Sequence, residues 1–161
     1  MIRIASLAIL PLLATPALAQ QAPTAKAERP LISVGYGSDF GIFVETPLAG
    51  SGPVIEAWNW MIKKEPTQMP GATYDMIASR ELIDCAAWTR KQLYSDGFLG
   101  ERYLGRDPAQ VGPDPITPGA GEAFAKILCG KVDISKDAPI ADIAAARQLT
   151  QDHFFKPISS Q

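Results

Sequence analysis

Histidine and asparagine each occur once, as His153 and Asn59, and cysteine only twice, as Cys85 and Cys129. That is a thin supply for an active site. A nucleophilic triad needs a nucleophile, a base and a group that orients the base. One distal histidine and two cysteines that can pair with each other do not supply them. No G-x-S-x-G, H-E-x-x-H, phosphate-binding Walker sequence or EF-hand loop occurs. No cluster of metal ligands is in sight either, so no catalytic residue, no metal and no resident cofactor is expected. Basic residues are not in excess. The formal charge is −2, from 15 Lys and Arg against 17 Asp and Glu, which speaks against a nucleic-acid partner. Beyond the first residues no apolar run is long enough to cross a membrane.

Two near-motifs fail on context. Gly35-x-Gly37 lacks the later glycine that a dinucleotide fingerprint requires. Asp39-Phe40-Gly41 matches the kinase metal-binding triplet in letters only, in a chain of 161 residues without the other kinase signatures.

The segment that is rich in apolar residues lies at the start. Arg3 precedes the apolar run Ile4 to Leu13, and Ala17 and Ala19 provide small residues before Gln20. This is the pattern of a secretory signal peptide over residues 1–19. No cysteine follows the expected cleavage site, so no lipid anchor is expected. An exported, periplasmic or extracellular protein is expected, with a mature chain of about 140 residues, the length of one domain. Loss of Arg3 makes the formal charge one unit more negative. In an oxidising compartment a Cys85–Cys129 disulfide is the expected state, with two free thiols as the alternative.

Residues 20–30 are small and polar and read as a flexible leader. Leu31 to Tyr36 and Phe40 to Thr46 read as a hairpin. Val54 to Lys63 carries apolar residues on both faces, as a central strand does. Trp58 and Trp60 fall on one face of it, either as core or as a ligand-stacking platform. Lys64 to Gly71 reads as a loop and Tyr74 to Cys85 as the next strand. Ala86-Ala87 allows a tight reversal, and Ala86 to Tyr94 follows as a strand. Ser95-Asp96-Gly97 is a hairpin signal, after which Phe98 to Leu104 pairs back. Short connections make these neighbours antiparallel. Gly105 to Pro118 reads as a proline-rich loop. Thr117 is the expected N-cap and Pro118 the first residue of a helix ending at Gly130, with Phe124, Ile127 and Leu128 as its apolar stripe. Cys129 lies off that stripe, so a bridge needs the helix end to loosen or to sit against the sheet. Residues 131–161 form a tail, with a possible second helix from Pro139 to about Phe154 that places Ile140, Ile143 and Ala144 on one face. His153, near its end, is expected to be solvated. The fold class is α+β: an antiparallel sheet of about six strands, one helix packed on it and tied by the disulfide, and a C-terminal helical tail.

Trp58 in a central strand, Glu81-Leu82-Ile83-Asp84-Cys85, Arg90, Tyr94-x-x-Gly97, Pro115-Ile116-x-Pro118-Gly119-x-x-Glu122 and Cys129 follow one another in an order that resembles the surface-adhesin protein E family. The resemblance spans residues 31–130. It implies a sheet of about six strands with a disulfide-held helix, and an outer-surface protein that binds host matrix or plasma proteins and, in some cases, haem. A non-enzymatic binding module is therefore expected, presenting a sheet face or the loop Asp107 to Thr117 to a protein or small ligand. Trp58, Trp60, Arg90 and Tyr94 are the candidate binding residues. The alternatives are a structural or assembly factor of the cell envelope and a carrier of haem or another small ligand.

Overall fold

A computed structural model describes residues 22–46, 52–69, 71–109 and 111–155. The expected signal peptide lies outside the described residues. The chain forms a seven-stranded antiparallel sheet with a helix on each face. The strands are β1 (Leu31–Tyr36), β2 (Phe40–Glu45), β3 (Val54–Met69), β4 (Ala72–Asp84), β5 (Thr89–Leu99), β6 (Arg102–Asp107) and β7 (Asp114–Pro115). The first six lie side by side in chain order, and β7 pairs with β5. The helices are α1 (Ala120–Leu128) and α2 (Ile143–Phe155). This is the α+β class that the pattern of short connections implies.

Side chains alternate across a pleated sheet, and here both faces are apolar in part. On one face Leu31, Phe43, Trp60, Ile62, Met76 and Phe98 form a core with Ile143 and Ala146 of α2. On the other, Ile32, Val44, Ile55 and Ile83 pack with Phe124, Ala125, Ile127 and Leu128 of α1. The double-sided pattern of β3 follows from this arrangement.

Cys85 and Cys129 are bonded, with Cα atoms 5.6 Å apart. Cys129 is the C-cap of α1, not part of its last turn. Gly130 follows with φ 65°. Its N–H donates to Ile127 O at 3.1 Å, and that of Lys131 donates to Lys126 O at 2.8 Å. This pair of bonds is a Schellman closure, which needs a residue with positive φ after the cap. The chain leaves the helix there, which frees Cys129 from the stripe and lets it reach the β4–β5 turn.

Five sequence expectations need correction. Ser95-Asp96-Gly97 does not turn; it lies within β5, where Asp96 pairs with Arg106 and Gly97 with Gly105 of β6. The reversal is at Gly100-Glu101, where Gly100 has φ 61° and its N–H donates to Asp75 Oδ1 at 3.0 Å. Lys64 to Gly71 is not simply a loop. Thr67, Gln68 and Met69 pair with Tyr74, Thr73 and Ala72, and an irregularity between Ile62 and Thr67 absorbs the polar residues and Pro66. Thr117 and Pro118 do not start α1. Its N-cap is Gly119, with φ 128° and no side-chain cap, because β7 and the bond from Ile116 N–H to Trp88 O hold the chain on the sheet up to Ile116.

The C-terminal helix starts at Ile143, later than Pro139, because Asp142 caps it: its Oδ1 accepts from Ala145 N–H at 2.8 Å. Ile140 instead exchanges two backbone bonds with Leu31. The buried stripe of α2 is Ile143, Ala146 and Thr150, while Ala144 is exposed. The leader is also part of the fold at one point, since Ala27 is buried against the α2-side core.

Candidate functional site

The four candidate residues do not meet. Trp58, Trp60 and Tyr94 lie on the α2 face, and Arg90 lies on the α1 face. Trp60 is core: it is 3% exposed, and its Nε1–H donates to Glu45 Oε1 at 3.0 Å. Burial raises the Glu45 carboxyl above its ordinary pKa, against the opposing effect of this bond.

Trp58 and Tyr94 are half-buried and stand edge to face, 5.6 Å between centroids. Their surroundings are already occupied. The Arg80 guanidinium lies 5.6 Å from the Trp58 ring, and that of Arg106 lies 3.8 Å from the Tyr94 ring. Each arginine is held by a carboxylate of its cross-strand neighbour or of the adjoining strand. Arg80 pairs with Glu56. Arg106 donates from Nε and Nη2 to Asp96, both at 2.8 Å. Glu56 and Asp96, respectively, raise the two guanidinium pKa values above the ordinary range. This is a closed ladder of rings and ion pairs. Each of the two rings already has a guanidinium set against it, where a stacking platform would offer an open face.

The α1 face is different. A nine-residue helix cannot cover a sheet of this width, and α1 leaves part of it bare. The strand register places Gly35, Ile42, Met61, Ile77, Gly97 and Gly105 in one line across the sheet. Glycine stands at both ends of this line, where side chains would otherwise fill the surface. A groove of about 360 Å³ lies between the β1–β2 hairpin and the start of α1, over Ile42, Val34 and Ala123. Another, of about 280 Å³, lies over Gly97 and Gly105, walled by Tyr74, Ile77 and Leu104. A Cβ at Gly97 or Gly105 would meet nothing within 4 Å.

The next line toward the disulfide is small and polar: Asn59, Ser79 and Ser95 are register partners. Behind it sits Glu81, 4% exposed. Asn59 Nδ2 donates to Glu81 Oε1 at 3.2 Å. Asn59 Oδ1 and Glu81 Oε2 are buried and accept no hydrogen bond. The Arg90 side chain, which lies beside Gly121 of α1 where a Cβ would crowd it, brings Nη1 only to 3.9 Å from Glu81 Oε2. Two buried acceptors without donors cost free energy, on the order of 1–3 kcal/mol each. Of the four sequence candidates, only Arg90 belongs to this region. Glu81 was legible as a charge among the apolar positions of β4, and Asn59 as the lone asparagine between two tryptophans. Neither signal says that the two side chains meet, since that follows from the β3–β4 register.

His153 is exposed, as expected, and stacks on Tyr36 with centroids 4.0 Å apart. Among the described residues no group of three or more His, Cys, Asp or Glu converges as a metal site. No described helix is long and apolar enough to cross a membrane. No protein-family model, curated protein or solved structure matches the chain.

Proposed function

We infer that this chain is a non-catalytic, exported binding module, and that its binding surface is the uncovered part of the α1 face. One observation carries the reading: the line from Gly35 to Gly105 leaves two grooves open on the α1 face of the sheet. Ligand sites are concave and mostly apolar, with a few placed polar groups, and this face combines both features. The disulfide fits an oxidising compartment. The periplasm or outer surface of a Gram-negative bacterium, with a protein or small-ligand partner in the envelope or host matrix, agrees with the resemblance to surface-adhesin protein E. A docking role for the C-terminal helix finds less support, because its apolar stripe is used against the chain's own core.

Gly97→Leu tests the reading. Gly97 lies in a strand at ordinary φ, and its Cβ direction is open, so leucine fills the groove without straining the backbone. Envelope extract and immobilised matrix proteins should show saturable, micromolar binding to the wild type, weakened at least about tenfold in Gly97→Leu, a loss of about 1.4 kcal/mol. Equal binding by both proteins, or no saturable binding to the wild type, contradicts it.

A further inference from the structure

The polar end of this surface points to a chemical class of ligand. The Glu81 carboxylate is buried on the sheet, and its Oε2 has no hydrogen-bond donor. Asn59 commits its Nδ2 to Glu81 Oε1 and so turns its own acceptor, Oδ1, to the same unfilled role. The two free atoms of the pair are therefore both acceptors. They ask for a donor, and the negative charge of Glu81 asks for a cation. Arg90 is the cation set against it, but it stops at 3.9 Å and its side chain is 41% exposed. It lies beside Gly121 of α1, where a Cβ would come within 3.1 Å of its Nη1.

Along β4, Ser79 lies between Ile77 and Glu81 on this face, two steps of about 7 Å each. An apolar stem over Ile77 and Gly97 would place its head at Glu81. Resting on the reading of this face as the binding surface, we propose that the Asn59–Glu81 pair receives a primary ammonium group carried on an unbranched apolar stem. The ammonium donates to Glu81 Oε2 and Asn59 Oδ1, and Arg90 swings out to solvent as it enters. A water molecule donating to both oxygens brings no positive charge of its own to the carboxylate. A carboxylate-headed amphiphile is excluded by Glu81.

Isothermal titration of the full chain with n-octylammonium chloride, n-octanol, sodium octanoate and the capped peptide acetyl-Leu-Lys-Leu-amide tests this. Octylammonium is expected to bind, and octanol and octanoate at least tenfold more weakly. Binding of the peptide as well assigns the ammonium to a partner's lysine; binding of octylammonium alone assigns it to a free amine. Glu81→Gln should abolish binding. Arg90→Ala should tighten it several-fold, because the competing cation is gone, and this variant keeps the test decisive if Glu81→Gln does not fold. The proposal is overturned if neither ammonium compound binds, if octanol binds equally well, or if Arg90→Ala weakens binding. Capture of a partner that Gly97→Leu weakens, but that octylammonium does not compete with, overturns this inference and leaves the groove as the binding surface.

Discussion

Asp96 lies in a strand, although Asp-Gly ordinarily signals a turn, because Arg106 reaches its carboxylate from the neighbouring strand. Asp96 is 2% exposed, so removing the guanidinium leaves a buried charge with little but Tyr103 Oη, 3.5 Å away. Arg106→Ala should cost about 2–3 kcal/mol in urea unfolding; a loss within experimental error would show that the pair is ornamental. Glu45 gives a pH prediction. Burial raises its pKa, so the folded chain holds this proton more tightly than the unfolded chain does. Its contribution to stability is fully present below the ordinary carboxylate pKa and is lost as pH rises through the raised value. Glu45→Gln keeps an oxygen for Trp60 Nε1 and carries no charge. Its stability relative to wild type should therefore increase with pH across that window and be level above it. A difference independent of pH would contradict the assignment. The motif at 95–97 could not reveal its fate, because the arginine that neutralises Asp96 is ten residues away and becomes a neighbour only through the register.

At the scale of elements, α1 is held at its end. Cys85→Ser should lower stability by about 2–5 kcal/mol under oxidising conditions. Melting unchanged from the oxidised wild type would mean that the bridge contributes nothing. Gly130→Ala forces a Cβ into a left-handed conformation and should cost about 1 kcal/mol by the same assay. Tolerance without loss would mean that the helix can end in another way. The glycine that stops α1 and the cysteine beside it were legible, because both are local features. The start of α1 was not. Thr117-Pro118 is a sound helix opening taken alone, yet the pairing of Asp114 and Pro115 with β5 delays the helix to Ala120. In the same way, the Gly100-Glu101 turn depends on Asp75 from β4, a contact that no short window contains.

For the whole molecule, the apolar residues on both faces of β3 announced a central strand, and this much of the architecture was readable. The role of the C-terminal segment was not, because α2 is weakly amphipathic and its buried stripe is only Ile143, Ala146 and Thr150. The structure nonetheless makes it the cover of the α2-side core. Ending the chain after Gly130 should expose Phe43, Ile62 and Met76. Loss of cooperative unfolding and strong binding of an apolar dye are expected, and a cooperative, dye-silent fragment would contradict this role. With α2 covering part of one face, and with an arginine set against each of Trp58 and Tyr94 on the rest of it, the proposed binding surface lies on the face of α1. Hydroxyl-radical footprinting, with and without a saturating envelope extract, tests that placement most directly. Protection at Met61, Tyr74, Ile77 and Leu104, with Trp58 and Tyr94 unchanged, is the predicted result; protection confined to Trp58 and Tyr94, or protection nowhere, would contradict it.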